Sequence, residues 1–232
     1  MRPILINNPN SNLLIGSKGK WKFDEGVGSI VRDSSGNGLD LYLSGSAIWN
    51  KGIYGNSVFF VEAMAASQQK FIIPSSGFSM SCWCKPTTSS QTGIIFAAWV
   101  TPANFAYIQL INFSGSVQLR VGKISGDWLT LSTNGSVLPN NIWTHFAFTW
   151  NGQLNSNSMV LYVNGKVPTQ TFAPDASTPN PAGTLVSLSF ANEISAGNPS
   201  FVGGFDQGQV WNRALSSAEI YQLYALQPGN GQ

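Results

Sequence analysis

The stretch from Gly203 to Ile220 constrains the fold more than any other part of this chain, because it reads as a last β-strand that runs directly into a capped helix. Ser216 supplies a capping hydroxyl, and Glu219 lies three residues on, where its carboxylate can reach back to close a capping box. Leu215 and Ile220 occupy the hydrophobic staple positions. Ile220, Leu223 and Tyr224 share one face, and Pro228-Gly229 ends the helix. No other segment carries so complete a helix signal, so what precedes it must be built mainly from strands and turns.

Period-two alternation bears this out. Residues 78–84 place Phe78, Met80, Cys82 and Cys84 on one face and Ser79, Ser81 and Trp83 on the other, the pattern of a strand with one buried face. Met159, Leu161 and Val163 repeat it. Asn164-Gly165, between Val160–Val163 and Lys166-Val167, supplies the positive φ angles that a two-residue hairpin turn needs. Short strands, many Gly and Asn turns and one late helix together specify an antiparallel sandwich.

The same residues carry a family resemblance. Asp206, Asn212-Arg213-Ala214-Leu215-Ser216 and Glu219-Ile220 are similar to the closing signature of the laminin G-like, concanavalin A-like jelly roll, with Gln207 where that signature has Glu. Trp21–Gly26 and Asp33–Gly38 resemble its opening strand and loop, and Trp49 with Gly52–Ser57 follows in the expected place. Phe78–Pro86 resembles another strand of the family, and Trp143–Trp150 with Leu161–Lys166 resembles its Trp-x-His strand and Asn-Gly hairpin. The blocks keep the family's order across roughly residues 17 to 226. The resemblance implies an all-β, antiparallel two-sheet jelly-roll sandwich with one short C-terminal helix, occupying residues 17–232 after an N-terminal arm, residues 1–16. Lectins, adhesion modules and hydrolases all use this fold, so the fold alone does not choose among them.

Composition narrows the partners. Only 9% of the 232 residues are charged, against about 25% in typical soluble chains. With 43% hydrophobic residues the chain is not disordered, so its surface must be made of Ser, Thr, Asn, Gln and Gly. With a net charge of +2 and no basic stripe, nothing recommends nucleic acid or an anionic membrane as a partner, so neither nucleic-acid binding nor, with no apolar run of spanning length, membrane insertion is expected. Cys82 and Cys84, at i and i+2 of one strand, are poorly placed to bridge and are expected to be free buried thiols.

Met1–Pro9 lacks the apolar run of about 7 to 15 residues found in a signal peptide. A family usually found outside cells, here without an export signal or a disulfide, points to a phage virion protein made in the host cytoplasm and released by lysis. A secreted, extracellular protein whose leader is missing is the alternative. In the arm, Ile4-Leu5-Ile6 and Leu13-Leu14-Ile15 flank an Asn-rich stretch. The arm can add an edge strand to a neighbouring subunit, or it can pack on its own sandwich.

Catalytic patterns are missing from the sequence. Retaining glycoside hydrolysis needs two carboxyl groups about 5 to 5.5 Å apart, and no alternating acidic run exists; Asp24 and Glu25 would point to opposite faces if they lay on a strand. His145, the single histidine, is expected to be a structural residue, and no Gly-x-Ser-x-Gly elbow accompanies it. For a metal, Asp33-Ser34-Ser35-Gly36-Asn37-Gly38 offers oxygens in a tight turn, and Ca²⁺ takes about six to eight. Ser44 stands where an EF-hand would need Glu, so that motif is rejected. The resemblance implies a structural calcium ion held by Asp33, Asn37 and Asp206; the alternative is an Asx-type turn that bonds only backbone.

Sugar binding needs an aromatic face beside hydrogen-bonding groups. Six of the eight tryptophans (Trp21, Trp49, Trp83, Trp143, Trp150 and Trp211) fall within the blocks the fold demands. Trp99 and Trp128 do not. Trp99 leads into Asn104 and Tyr107, and Trp128 follows Asp127, which makes these five the candidate glycan contacts; the alternative is that both indoles seal the sandwich ends. The expected function is a non-catalytic, surface-displayed structural or adhesion protein: a virion capsid decoration or fibre protein whose partners are other virion subunits, copies of itself or cell-surface glycans. A secreted carbohydrate-binding module of a larger enzyme is the alternative, and a glycoside hydrolase is third.

Overall fold

The computed structural model describes residues 11–100, 105–123, 127–173, 180–192 and 200–225, with side chains for all of these except 11, 105–107, 123 and 127. The chain begins with α1 (Ser11–Leu14), β1 (Ser17–Trp21), β2 (Ile30–Val31), β3 (Leu41–Lys51), β4 (Asn56–Ser67), β5 (Phe71–Ile72), β6 (Phe78–Pro86) and β7 (Thr92–Val100). It continues through β8 (Phe105–Phe113), β9 (Ser116–Lys123), β10 (Asp127–Thr133), β11 (Thr144–Trp150), β12 (Met159–Val163), β13 (Gln170–Ala173), β14 (Leu185–Phe190), β15 (Gly203–Trp211) and α2 (Ser217–Ala225).

Hydrogen bonding follows one antiparallel path, β12-β11-β6-β15-β4-β14-β7-β8-β9-β10-β13, with β1 added on β15 and β3 on β4. The path folds back on itself at β4, whose residues 58–60 pair with β15 while Ala65 and Ala66 pair with β14. The corner has a local cause. Glu62 takes a positive φ of 48°, and on β3 a bulge between Ser44 and Ser46 leaves Gly45 at φ 68°. A Cβ on Gly45 would lie 2.6 Å from the Glu62 carbonyl oxygen, so the close approach requires glycine.

The two layers enclose an aromatic core. Phe96 of the second layer lies 6.0 Å from Phe78 and 6.1 Å from Phe148 of the first, and Phe190 lies 6.1 Å from Phe205. Phe78, Met80, Cys82 and Cys84 point into this core as the alternation requires, and both cysteines are free. Asn164 and Gly165 adopt the positive φ angles of the hairpin turn. The hairpin itself stops at the Val163–Lys166 bridge, because the chain then leaves to pair β13 with β10 in the other layer.

Ser79, Ser81 and Trp83, on the opposite face of β6, are also buried. The two helices explain this: Leu13, Leu215, Ile220 and Leu223 pack against Ala147, Tyr162 and Trp211 on the outside of the first layer. The capping box of α2 forms as its sequence specifies, with Ser216 Oγ accepting from the Glu219 N–H and Glu219 Oε2 accepting from the Ser216 N–H at 2.8 Å.

The latter part of the arm, residues 11–16, belongs to the sandwich. Trp211 Nε1 donates to the Leu13 carbonyl at 2.8 Å, Arg213 Nη2 donates to the Asn12 carbonyl at 2.8 Å, and the Asn212 N–H donates to the Gly16 carbonyl at 2.9 Å. These residues pack on their own sheet, and the boundary at residue 17 divides a single packed unit. Residues 1–10 lie outside the described residues.

Candidate functional site

Asp33 anchors the turn expected to hold calcium, but it does so as an acceptor for the chain's own donors. Its Oδ1 accepts from the N–H groups of Lys20 (2.9 Å) and Ser35 (2.8 Å), and its Oδ2 accepts from Ser35 Oγ (2.8 Å) and the Leu39 N–H (2.9 Å). A carboxylate has about four lone-pair sites, so these four bonds leave none for a cation. Asn37 directs its Nδ2 to the Ser17 carbonyl at 3.2 Å and to Ser35 Oγ at 2.9 Å.

Asp206 belongs to a different group. Its Oδ2 accepts from the N–H groups of Ile53 (3.0 Å) and Tyr54 (3.1 Å), and its Oδ1 accepts from Gln207 Nε2 (3.3 Å). The donor sets of Asp33, Asn37 and Asp206 therefore do not fit one calcium ion. Among the described residues, no three His, Cys, Asp or Glu side chains group to hold a metal. Burial raises the Asp206 carboxyl to about 7, against the pull of the Tyr54, Gln207 and Ile53 hydrogen bonds and with help from the Asp24 charge.

Sequence alone gave no sign of a hydroxyl–imidazole contact between β6 and β11. Ser81 Oγ lies 2.8 Å from Nε2 of His145, and both side chains are buried. Among the described residues, Nδ1 of His145 has no hydrogen-bond partner. Burial pushes the His145 pKa down to about 3, so the ring is neutral at physiological pH.

Trp99 and Trp128 meet on the outer face of the second layer, where both join the cluster of Ile94, Ala97 and Ile111. Their roles differ. Trp99 is in β7 rather than at a loop edge and is only 4% exposed, with Lys70 Nζ 5.6 Å from its ring centroid. Trp128 is half-buried, and the residue opposite it is Gly122, which has no side chain to fill the face beside the indole. Trp99 therefore braces while Trp128 presents. Asn104 lies outside the described residues, and of Tyr107 and Asp127 only the backbone, in β8 and β10, is described.

Strand register adds residues that the search for aromatics missed. Ala97, Gln109, Arg120 and Thr130 form one row across β7, β8, β9 and β10. Arg120 and Gln118 are half-buried beside Trp128's strand; Arg120 Nη2 donates to Gln118 Oε1 at 2.9 Å, and the guanidinium lies 5.3 Å from the Phe113 centroid. An indole, a guanidinium and an amide thus share one face of β9 and β10. The alternation of Val117, Leu119 and Val121 with Gln118, Arg120 and Gly122 is the sequence signal that could have found them.

Residues 61–221 match a profile described as the concanavalin A-like lectin/glucanases superfamily. The chain belongs to that superfamily. Among solved structures, this superfamily member is similar to domain 4 of AbnA, a GH43 extracellular arabinanase from Geobacillus stearothermophilus, solved in complex with arabinotriose. That match has a TM-score of 0.64 and 22% identity, over 90% of this chain and 98% of that one. It is also similar to the binding domain of botulinum neurotoxin DC in complex with rat synaptotagmin II (TM-score 0.69, 13% identity, 92% of this chain and 52% of that one). The binding domain of Paraclostridial Mosquitocidal Protein 1 is a further neighbour (TM-score 0.64, 17% identity, 90% and 52%). This chain thus spans about half of each toxin domain and nearly all of the arabinanase domain. No curated protein sequence matches it.

Proposed function

We propose that this chain is a non-catalytic carbohydrate-binding module whose ligand face is the outer surface of β9 and β10 around Trp128. The observation that carries the reading is the placement of that indole. It is half-buried, packed on the cluster that holds Trp99 and adjacent to the bare Gly122, with Arg120 and Gln118 two and four positions farther along β9 on the same face. A sugar ring offers an apolar C–H face to an indole and hydroxyls to a guanidinium and an amide. The arabinotriose held by the arabinanase domain supports an oligosaccharide as the class of ligand.

Two observations favour binding over hydrolysis. His145 is a weak base at neutral pH, and among the described residues no carboxylate bonds its Nδ1. Asp206, whose raised pKa suits a general acid, is fully buried, with its oxygens occupied by Ile53, Tyr54 and Gln207. Display on a virion surface is the setting we propose, on the sparse charge of the chain; co-purification with particles tests it.

The binding test is a glycan array followed by calorimetry with the best oligosaccharide, arabinotriose included. Trp128→Ala is expected to weaken binding at least tenfold while leaving the melting temperature within a few degrees. Absence of saturable binding to any glycan, or unchanged affinity in the Trp128 variant, overturns the reading.

A further inference from the structure

A cavity with a volume of about 250 Å³ lies between the outer face of the first layer and the two helices. Its floor follows from register. Lys20, Gln209 and Ser81 form a cross-strand row over β1, β15 and β6, and His145 and Trp83 form the pair beside it. All five line the cavity, and Leu13 and Leu223 from the helices supply apolar walls. Liquid water occupies about 30 Å³ per molecule, so the space equals roughly eight waters.

Three features say what such a space recognises. Lys20 is the one charged side chain among its described lining residues, which favours an anionic group. Ser81 and His145 are both at least nine-tenths buried and bond each other at 2.8 Å, which leaves capacity on the hydroxyl and on the imidazole for a ligand hydroxyl. Among the described residues, the two aromatic rings in the lining also each carry a buried nitrogen with no partner, Nε1 of Trp83 and Nδ1 of His145. Unpartnered buried polar atoms are rare in native proteins and call for a reason. Tyr224 of α2 stacks on Trp83 and its ring centroid lies 5.9 Å from that of His145, which places both rings beneath the last turn of the helix.

We propose that this cavity binds a small hydroxylated carboxylate, its anionic group at Lys20 and its hydroxyls at Ser81, His145 and Trp83. The site is independent of the carbohydrate face on the second layer, which lies on different strands. The last-strand signature contributes Gln207, Gly208 and Gln209 to the lining, so part of the segment that closes the fold also forms the pocket.

The test uses the full chain and matched probes. Gluconate and glycerate are titrated against their neutral counterparts glucitol and glycerol, with tryptophan fluorescence and melting temperature as readouts. Gluconate is expected to bind saturably and to raise the melting temperature, with glucitol at least tenfold weaker. Lys20→Met should erase that difference, and Trp83→Phe, which keeps an aromatic ring but removes the N–H, should weaken gluconate several-fold. Equal binding of gluconate and glucitol, no saturable binding by either acid, or full gluconate affinity in the Lys20 variant overturns the proposal. If Lys20→Met does not fold, Lys20→Gln makes the same comparison.

Discussion

Replacing Asp206 with Asn should uncover a pH dependence that the native protein conceals. The folded Asp206 carboxyl titrates near 7, raised by burial from an ordinary 3.8. A raised carboxyl contributes stability that is complete below about pH 3.8 and lost as pH rises through about 7, because above 3.8 the unfolded chain releases a proton that the folded chain keeps. At about 1.4 kcal/mol per pH unit, the interval amounts to about 4 kcal/mol. His145 works in the opposite direction. Burial lowers it from 6.5 to about 3, so its stability is complete above 6.5 and lost as pH falls through about 3.

Between about pH 4 and 6.5 the two slopes oppose each other and cancel in the native protein. The Asp206→Asn variant would leave the His145 slope alone, and it should lose about 3 kcal/mol on going from pH 6.5 to pH 4. Asn keeps an Oδ1 acceptor for Ile53 and Tyr54, and the cost of setting its Nδ2 against the Gln207 donors is a constant offset that does not vary with pH. Urea unfolding of both proteins at pH 4, 5, 6, 7 and 8 measures the effect. The stability difference between them should change by about 4 kcal/mol from pH 4 to 7, in favour of the variant as pH rises. A difference that stays constant with pH would refute the assignment of a buried, raised carboxyl at Asp206.

Truncation should divide the arm. Removing residues 1–16 takes away Leu13, which is 8% exposed, and the acceptor for the Trp211 indole, and should cost at least the ~2 to 5 kcal/mol typical of a buried Leu→Ala change, read as a lower urea midpoint. The tryptophans of the second layer should separate by role. Trp99→Ala should cost about 3 to 5 kcal/mol as a core truncation, whereas Trp128→Ala should cost markedly less and act on glycan affinity; equal losses would mean that both are core residues. Calcium and chelator should leave the melting temperature unchanged, while Asp33→Ala should lower it in either condition, because four donors lose their acceptor. A melting temperature that rises with calcium would reinstate a metal site.

Local chemistry made the fold legible. The Ser216–Glu219 capping box, the Asn164-Gly165 turn and the inward row of Phe78, Met80, Cys82 and Cys84 each depend on residues close in sequence, and each forms. What the sequence left dark depends on distant partners. Nothing near Val163 announces that the chain beyond Lys166 abandons β12 for β10. The α1 helix is four residues long with no acidic residue in its first turn, and it is placed by hydrogen bonds from Trp211 and Arg213 rather than by its own propensity.

The candidate sites were less legible for the same reason. Period-two alternation says which face a side chain occupies, but only strand register says which side chains meet there, and only tertiary packing says what covers them. Ser81 and Trp83 were placed correctly on the face opposite the core, yet a polar face predicts solvent, and the helices bury both. Sorting tryptophans by whether a fold block claims them worked for Trp21, Trp150 and Trp211, each fully buried. It held for Trp83 too, which a block claims and which is buried although it lines a cavity, and it failed for Trp99, which no block claims and which is buried. A fold signature specifies where a ring attaches to the sheet, and the second sheet face, with whatever packs on it, decides whether that ring becomes core or surface. Measuring ligand affinity and stability together on Trp83 and Trp128 variants is therefore more informative than either measurement alone.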